Sequence, residues 1–224
     1  PAWSDSRYQA FIRVCSLSDF VLNQAIRDPQ ALIDLVNSGQ LDRTLVPGEI
    51  RHHLTERLAD CTDEACLLLH LRQYRNRQQV RIIWRDLMRQ AELSETCRDL
   101  SAMADACTDL AYHWLYKQHC QLFGTPIGRY SKLPQQLVIL GMGKLGAYEL
   151  NLSSDVDLIF TYPEGGDTEG AKRSLDNQEF FTRLGQKLIK ALDTITVDGF
   201  AFRVDMRLRP YGSSGPLVFS FTAI

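Results

Sequence analysis

Asp155 and Asp157 stand two residues apart at the head of an apolar run, Val156, Leu158, Ile159 and Phe160. On an extended chain that spacing points both carboxylates to one face. Adjacent carboxylates repel, and the arrangement is costly unless a cation lies between them. Magnesium takes oxygen ligands and commonly rests on one or two carboxylates plus substrate phosphates. The pair therefore reads as a magnesium–phosphate site. Further on, Phe202, Val204, Met206 and Leu208 alternate with Arg203, Asp205, Arg207 and Arg209. Period two predicts a strand over Phe200–Arg209, with one apolar face and one face holding a carboxylate among three guanidiniums. Paired beside Asp155–Phe160, it would bring Asp205 in as a third carboxylate. Its arginines would meet phosphate oxygens, which bidentate guanidinium geometry suits.

These acids need a scaffold, and the stretch before them supplies one. Leu137–Leu140 reads as a buried strand, followed by Gly141-Met142-Gly143-Lys144-Leu145-Gly146 and barely two turns of helix. The glycine run matches the G-x-G-x-x-G dinucleotide fingerprint, but that fingerprint needs a long helix next and an acid at the end of the second strand. Here Asn151, Ser153 and Ser154 break the helix, and the acids open the second strand. A Walker A loop is excluded because no Gly-Lys-Ser/Thr ends the run. After the second strand, Pro163–Gly170 reads as a mobile surface loop. Asp176 and Glu179 form a capping box before a helix with Phe180, Phe181, Leu184, Leu188, Ile189 and Leu192 at helical spacing. Beyond the arginine strand come a glycine–serine loop, a short strand Leu217–Phe219, and Ser220 as the cap of a helix cut off at Ile224.

Composition narrows the function classes. The 224 residues carry a net charge of −2, with a pI near 6.2, which argues against nucleic-acid or anionic-membrane partners. No apolar run is long enough to span a bilayer, and no signal peptide is present. Beginning at Pro1 rather than Met, the sequence reads as a piece of a longer protein. The six cysteines include no C-x-x-C pair and read as free thiols of a reducing cytoplasm. Cys66 and His70 share a helix face at a spacing zinc can use, but no second pair joins them, so the reading is core packing.

Residues 1–124 read as a helical subdomain. Ser18 caps one helix, Asp28-Pro29 ends it and starts the next, Gly39 stops that one, and Pro47 opens another. Long helices follow, from about Asp63 to Ala91 and from Ser94 to Phe123, with Gly124 as the stop. The first of these carries Arg72, Arg75, Arg77, Arg81, Arg85 and Arg89. They read as a solvated face balanced by Asp60, Asp63, Glu64 and Asp86, with a phosphate- or acid-binding wall as the alternative. Gly124–Leu133 reads as a polar linker, and residues 125–224 as a second, core subdomain.

A glycine turn, a D-x-D about a dozen residues on, and a single acid on a later strand together resemble the polymerase-beta-type nucleotidyltransferases. The fold expected is α+β: a helical subdomain plus a nucleotidyltransferase core with a small mixed sheet. Within that superfamily, Gly141–Gly146, Glu149-Leu150-Asn151, Ser153–Phe160 and Val204–Pro210 resemble the glutamine synthetase adenylyltransferase family, whose bifunctional members carry two such domains. Phe180-Phe181-Thr182-Arg183, Arg203–Arg207 and Gly215-Pro216-Leu217-Val218 are more like the N-terminal, adenylyl-removing domain. One departure is Ala147, where glycine is common.

The resemblance implies phosphorolysis of an adenylylated tyrosine on glutamine synthetase, releasing ADP, in the control of nitrogen metabolism. It implies Asp155, Asp157 and Asp205 as catalytic magnesium ligands, and Gly143, Lys144, Ser154, Arg207 and Arg209 around phosphate and adenine nucleotide. It also implies a cytoplasmic setting, with glutamine and a uridylylated signalling protein of the PII class in control. Two alternatives remain open at this point: AMP transfer from ATP in the forward direction, and a nucleotide-sensing domain without catalysis.

Overall fold

The computed structural model describes residues 3–223. The chain gathers into two compact units. One runs to Met103 and takes in Tyr148–Leu152; the other comprises Ala104–Ala147 and the chain from Ser153 onward.

The first unit is helical, and its helices begin and end where local chemistry dictates. In α1 (Asp5–Leu17) Ser4 is the N-cap, and in α2 (Asp19–Arg27) Ser18 accepts the Val21 N–H. Asp28 then caps α3 (Pro29–Asn37), with the proline in the first turn where its missing N–H costs nothing. Gly39 turns the chain at φ +72°. Gly48, at φ +86°, precedes α4 (Glu49–Leu58), and Asp63 caps α5 (Glu64–Leu87). The core joins Val14, Val21, Leu32, Leu35 and Leu41 to Val80, Ile83 and Trp84 of α5.

The arginines of α5 are neither a solvated face nor an exposed basic wall. Arg72 and Arg81 are fully buried, and Arg75 and Arg85 nearly so. Arg81 pairs with Asp99, itself only 5% exposed. Arg85 donates Nε to Glu95 at 2.8 Å, Nη1 to the Leu41 carbonyl at 2.9 Å and Nη2 to the Gln90 carbonyl at 2.9 Å. Periodicity gave the helix but not its surroundings. The acids balancing Arg81 and Arg85 come from α6 (Leu93–Phe123), not from Asp60, Asp63, Glu64 or Asp86.

The second unit is α+β. Its central strand is β3 (Val156–Tyr162), which β2 (Val138–Gly141) joins antiparallel with Gly141 opposite Leu158. Two short strands pair with β3 in parallel: β5 (Val204–Asp205) at its start and β6 (Val218–Ser220) at its end. Helix α8 (Asn177–Asp193) begins at Asp176, whose carboxylate accepts the Glu179 N–H at 2.8 Å. Its apolar stripe, Phe180, Phe181, Leu184 and Leu188, is completely buried. Gly185 lets α8 approach the sheet: a Cβ there would lie 3.0 Å from the Phe160 ring.

Two segments read as linker and loop are strands. β1 (Thr125–Gly128) pairs antiparallel with β4 (Gly166–Glu169), Gly128 opposite Gly166. Glu164, expected to be part of a mobile loop, accepts the backbone N–H groups of Tyr130 and Ser131. Each strand is too short and polar to show periodicity, and each is ordered by the other some forty positions away. The helix expected beyond Ser220 appears as a 3-10 turn, Phe221–Ala223, and Ile224 lies outside the described residues.

Candidate active site

Asp157 and Asp205 are neighbours at the entrance of β3. Asp157 lies directly opposite Asp205 in the parallel β3–β5 register, and the Val156 N–H extends the ladder to the Arg203 carbonyl at 2.9 Å. Asp155 stands one residue before the strand, close enough for its charge to act on Asp157. The strand expected over Phe200–Arg209 is a correction, because only Val204–Asp205 is extended and paired. Asp205 itself ends it. Its Oδ1 accepts the Arg207 N–H at 2.8 Å, a local side-chain turn that competes with the ladder. Pro210 then removes a donor, and Leu208, expected on the apolar face, is 53% exposed while Met206 stays buried.

The glycine turn approaches these acids from the other side of β3. α7 (Gly143–Gly146) is a single turn following β2, and the Met142 N–H donates to the Asp157 carbonyl at 2.8 Å. Gly143 has φ +52°, and a Cβ on it would lie 2.6 Å from Asp157 Oδ2. Glycine is required there both by backbone conformation and by the carboxylate. Gly146 is tied by its neighbour instead, since a Cβ would meet the Gly141 carbonyl oxygen at 2.5 Å. Lys144 is exposed on α7, and Ser154 is half-buried just before Asp155.

The three acids are electrostatically unequal. Asp155 takes the guanidinium of Arg203, which also donates to the Ser153 carbonyl at 2.6 Å. Asp205 takes the guanidinium and the backbone N–H of Arg207, and that hydrogen bonding holds its carboxyl below the usual carboxylate range. Among the described residues Asp157 accepts no such bond. Burial first, then the charges of Asp205 and Asp155, push its carboxyl up. A carboxylate whose ionised form is opposed by burial and by two like charges is the environment a divalent cation relieves. The donor set, three carboxylates beside a backbone turn, suits a hard cation such as magnesium. Of the expected phosphate contacts, Arg207 faces solvent beside the acids, while Arg209 is half-buried and donates Nη1 to the Met206 carbonyl at 2.7 Å. Sequence reasoning did not anticipate the Arg203–Asp155 pair as a charge partner. The signal was present, because Arg203 precedes the strand by one residue just as Asp155 precedes β3.

The family described as glutamate-ammonia ligase adenylyltransferase matches residues 8–224. The chain belongs to that family. Among curated proteins it is 68% identical over 223 residues to the bifunctional glutamine synthetase adenylyltransferase/adenylyl-removing enzyme of Pseudomonas aeruginosa. It is 67% identical to the enzyme of the same name from Pseudomonas syringae pv. tomato. Identity is 51% over 221 residues to that of Shewanella oneidensis. All of the chain aligns to the first two, yet it spans 23% of their length. The three acids, the glycine turn and the β3–β5 pairing all fall within the matched residues.

Proposed function

We propose that this chain is the adenylyl-removing part of a glutamate-ammonia ligase adenylyltransferase, acting on adenylylated glutamine synthetase by phosphorolysis and giving ADP. The observation that carries a nucleotidyltransferase reading is the register pairing of Asp157 with Asp205, next to Asp155 and the glycine turn. Magnesium held by Asp155, Asp157 and Asp205 would supply neutralising charge to the oxygens of an in-line displacement. The rest of the work is positioning and charge, as expected where the protein offers no nucleophile of its own.

Arg207, whose side chain is 82% exposed, can turn from Asp205 to a phosphate oxygen without breaking the fold. Gly143 leaves room beside the Asp157 carboxylate, and Lys144 and Ser154 border the same turn and strand entrance. Arg209 would hold the loop that carries Arg207, through the Met206 carbonyl. The deadenylylating direction rests on the N-terminal-type motifs around Phe180, Met206 and Gly215-Pro216. Two of these have visible structural roles. Met206 is buried behind β5, and a Cβ at Gly215 would lie 2.4 Å from the Pro210 carbonyl oxygen. The reading carries with it a cytoplasmic setting and control by a PII-type signalling protein. Among the described residues no helix is long and apolar enough to cross a membrane.

Direction is tested by where label goes. Given adenylylated glutamine synthetase, magnesium and labelled inorganic phosphate, the protein should place label in ADP, and Asp157→Asn should place none. Given ATP labelled in its α-phosphate and the unmodified enzyme, it should transfer essentially no AMP. Label on glutamine synthetase from ATP would reverse the assignment.

A further inference from the structure

A second cluster of ligating side chains lies in the helical unit, at the α4–α5 connection. After α4 ends at Leu58, the Cys61 N–H donates to the Leu58 carbonyl at 3.1 Å as the chain turns. Asp63 then caps α5, its Oδ1 accepting the Cys66 N–H at 2.8 Å, which fixes Cys66 in the first turn. His70 follows four residues later, on the same helix face. One ligating atom from each of Cys61, Cys66 and His70 lies within 4.8 Å of the other two.

Core packing, the reading the sequence favours for Cys66 and His70, does not account for this arrangement. All three side chains are half-buried rather than in the core. The Nδ1 of His70 is shut off from solvent and has no hydrogen-bond partner among the described residues. A structural histidine ordinarily satisfies such an atom. Cys61 was missed as a partner because it belongs to the preceding turn, outside the helical spacing that links Cys66 to His70.

The donor chemistry selects the ion. Two thiols and an imidazole are the soft and borderline ligands that zinc takes, whereas magnesium takes oxygen. Zinc–sulfur bonds of about 2.3 Å and zinc–nitrogen bonds of about 2.0 Å in a tetrahedron place ligand atoms roughly 3.5–3.8 Å apart. The observed cluster therefore needs to close by no more than about an ångström, within reach of side-chain rotation. The negative charges of Asp60 and Asp63 act on the Cys61 sulfur and favour a cation there.

We propose that Cys61, Cys66 and His70 bind one zinc ion, with water in the fourth position, clasping the α4–α5 connection to the start of α5. Binding replaces the two thiol protons with the metal and releases them to solvent, with no change of oxidation state. The acids at β3 belong to the other compact unit.

Zinc binding by the intact protein tests this, with metal-free protein, zinc chloride and a chromophoric chelator as competitor. One equivalent should bind, and cobalt in its place should give a thiolate-to-metal charge-transfer band. Cys61→Ser and His70→Gln should each weaken zinc binding by at least about tenfold. Asp157→Asn should bind zinc as the parent does. Alkylation mapped by mass spectrometry needs no variant: zinc should protect Cys61 and Cys66 and leave the other four cysteines as reactive as before. The proposal is overturned if zinc protects neither thiol, or if both variants bind zinc as the parent does. Air oxidation that joins Cys61 to Cys66 as a disulfide in protein that takes up no zinc would overturn it as well.

Discussion

Asp155 and Asp205 each hold a guanidinium, from Arg203 and Arg207, while among the described residues Asp157 holds none. That difference makes Asp157→Asn a discriminating change. Its carboxyl is pushed up, so folding favours its neutral form more than the unfolded chain does. The sign follows from linkage: Asp157 contributes stability below its unfolded-state value, and that contribution is lost as pH rises through the raised folded value. Asp157→Asn keeps a neutral side chain throughout. In magnesium-free buffer near neutral pH it should melt no lower than the parent, and the gap between the two should close on acidification. Asp205, present in both proteins, titrates with the opposite sign. With magnesium the order reverses, because only the parent gains stability and activity. A variant that melts well below the parent without metal would show that Asp157 serves the fold. Arg207→Ala should raise the phosphate KM by about tenfold or more while hardly moving the melting temperature, since its guanidinium faces solvent. Steady-state kinetics at varied phosphate, beside a thermal melt, separates the two effects. The acids and Arg207 were legible in the sequence because alternation fixes facing. The inequality among the acids was not, because it depends on which acids Arg203 and Arg207, on either side of β5, fold back onto.

At the scale of elements, caps and stops were the most legible features. Ser18, Asp28-Pro29 and Asp176 act on the few residues beside them, so their sequence signatures suffice. What failed was whatever a distant partner decides. β1 and β4 order each other, and the arginine face of α5 is buried by acids of α6. Alternation over Phe200–Arg209 predicts one long strand, and a carboxylate-to-backbone bond at Asp205 shortens it. The buried pair that joins α5 to α6 gives a test at this scale. Asp99→Ala leaves Arg81 enclosed without its main counter-charge and should cost about 3–5 kcal/mol in urea unfolding. Replacing both partners with apolar residues, Arg81→Met with Asp99→Leu, should recover most of that loss. A single variant as stable as the parent would mean that water reaches Arg81.

For the whole molecule, ligand linkage offers a measure that does not depend on turnover. Magnesium at a hundred times its dissociation constant should stabilise the folded chain by about 2.7 kcal/mol, and not at all in Asp205→Asn. Calorimetry with and without the metal checks it. The order of the chain has a further consequence. Between α7 and β3 lies Tyr148–Leu152, a segment that belongs to the helical unit, where Leu150 is buried and donates its N–H to Ser101 Oγ at 3.2 Å. The glycine turn and the acids are thus joined by a stitch anchored in the other unit. No single cut in the gene can part the two units cleanly. A reading frame opened at Ala104 would keep every acid yet leave this stitch without its anchor, and hydrogen exchange at Leu150 should rise towards that of an unfolded chain. Exchange of parts between relatives, in the laboratory or in evolution, would have to move the helices and the acids as one cassette.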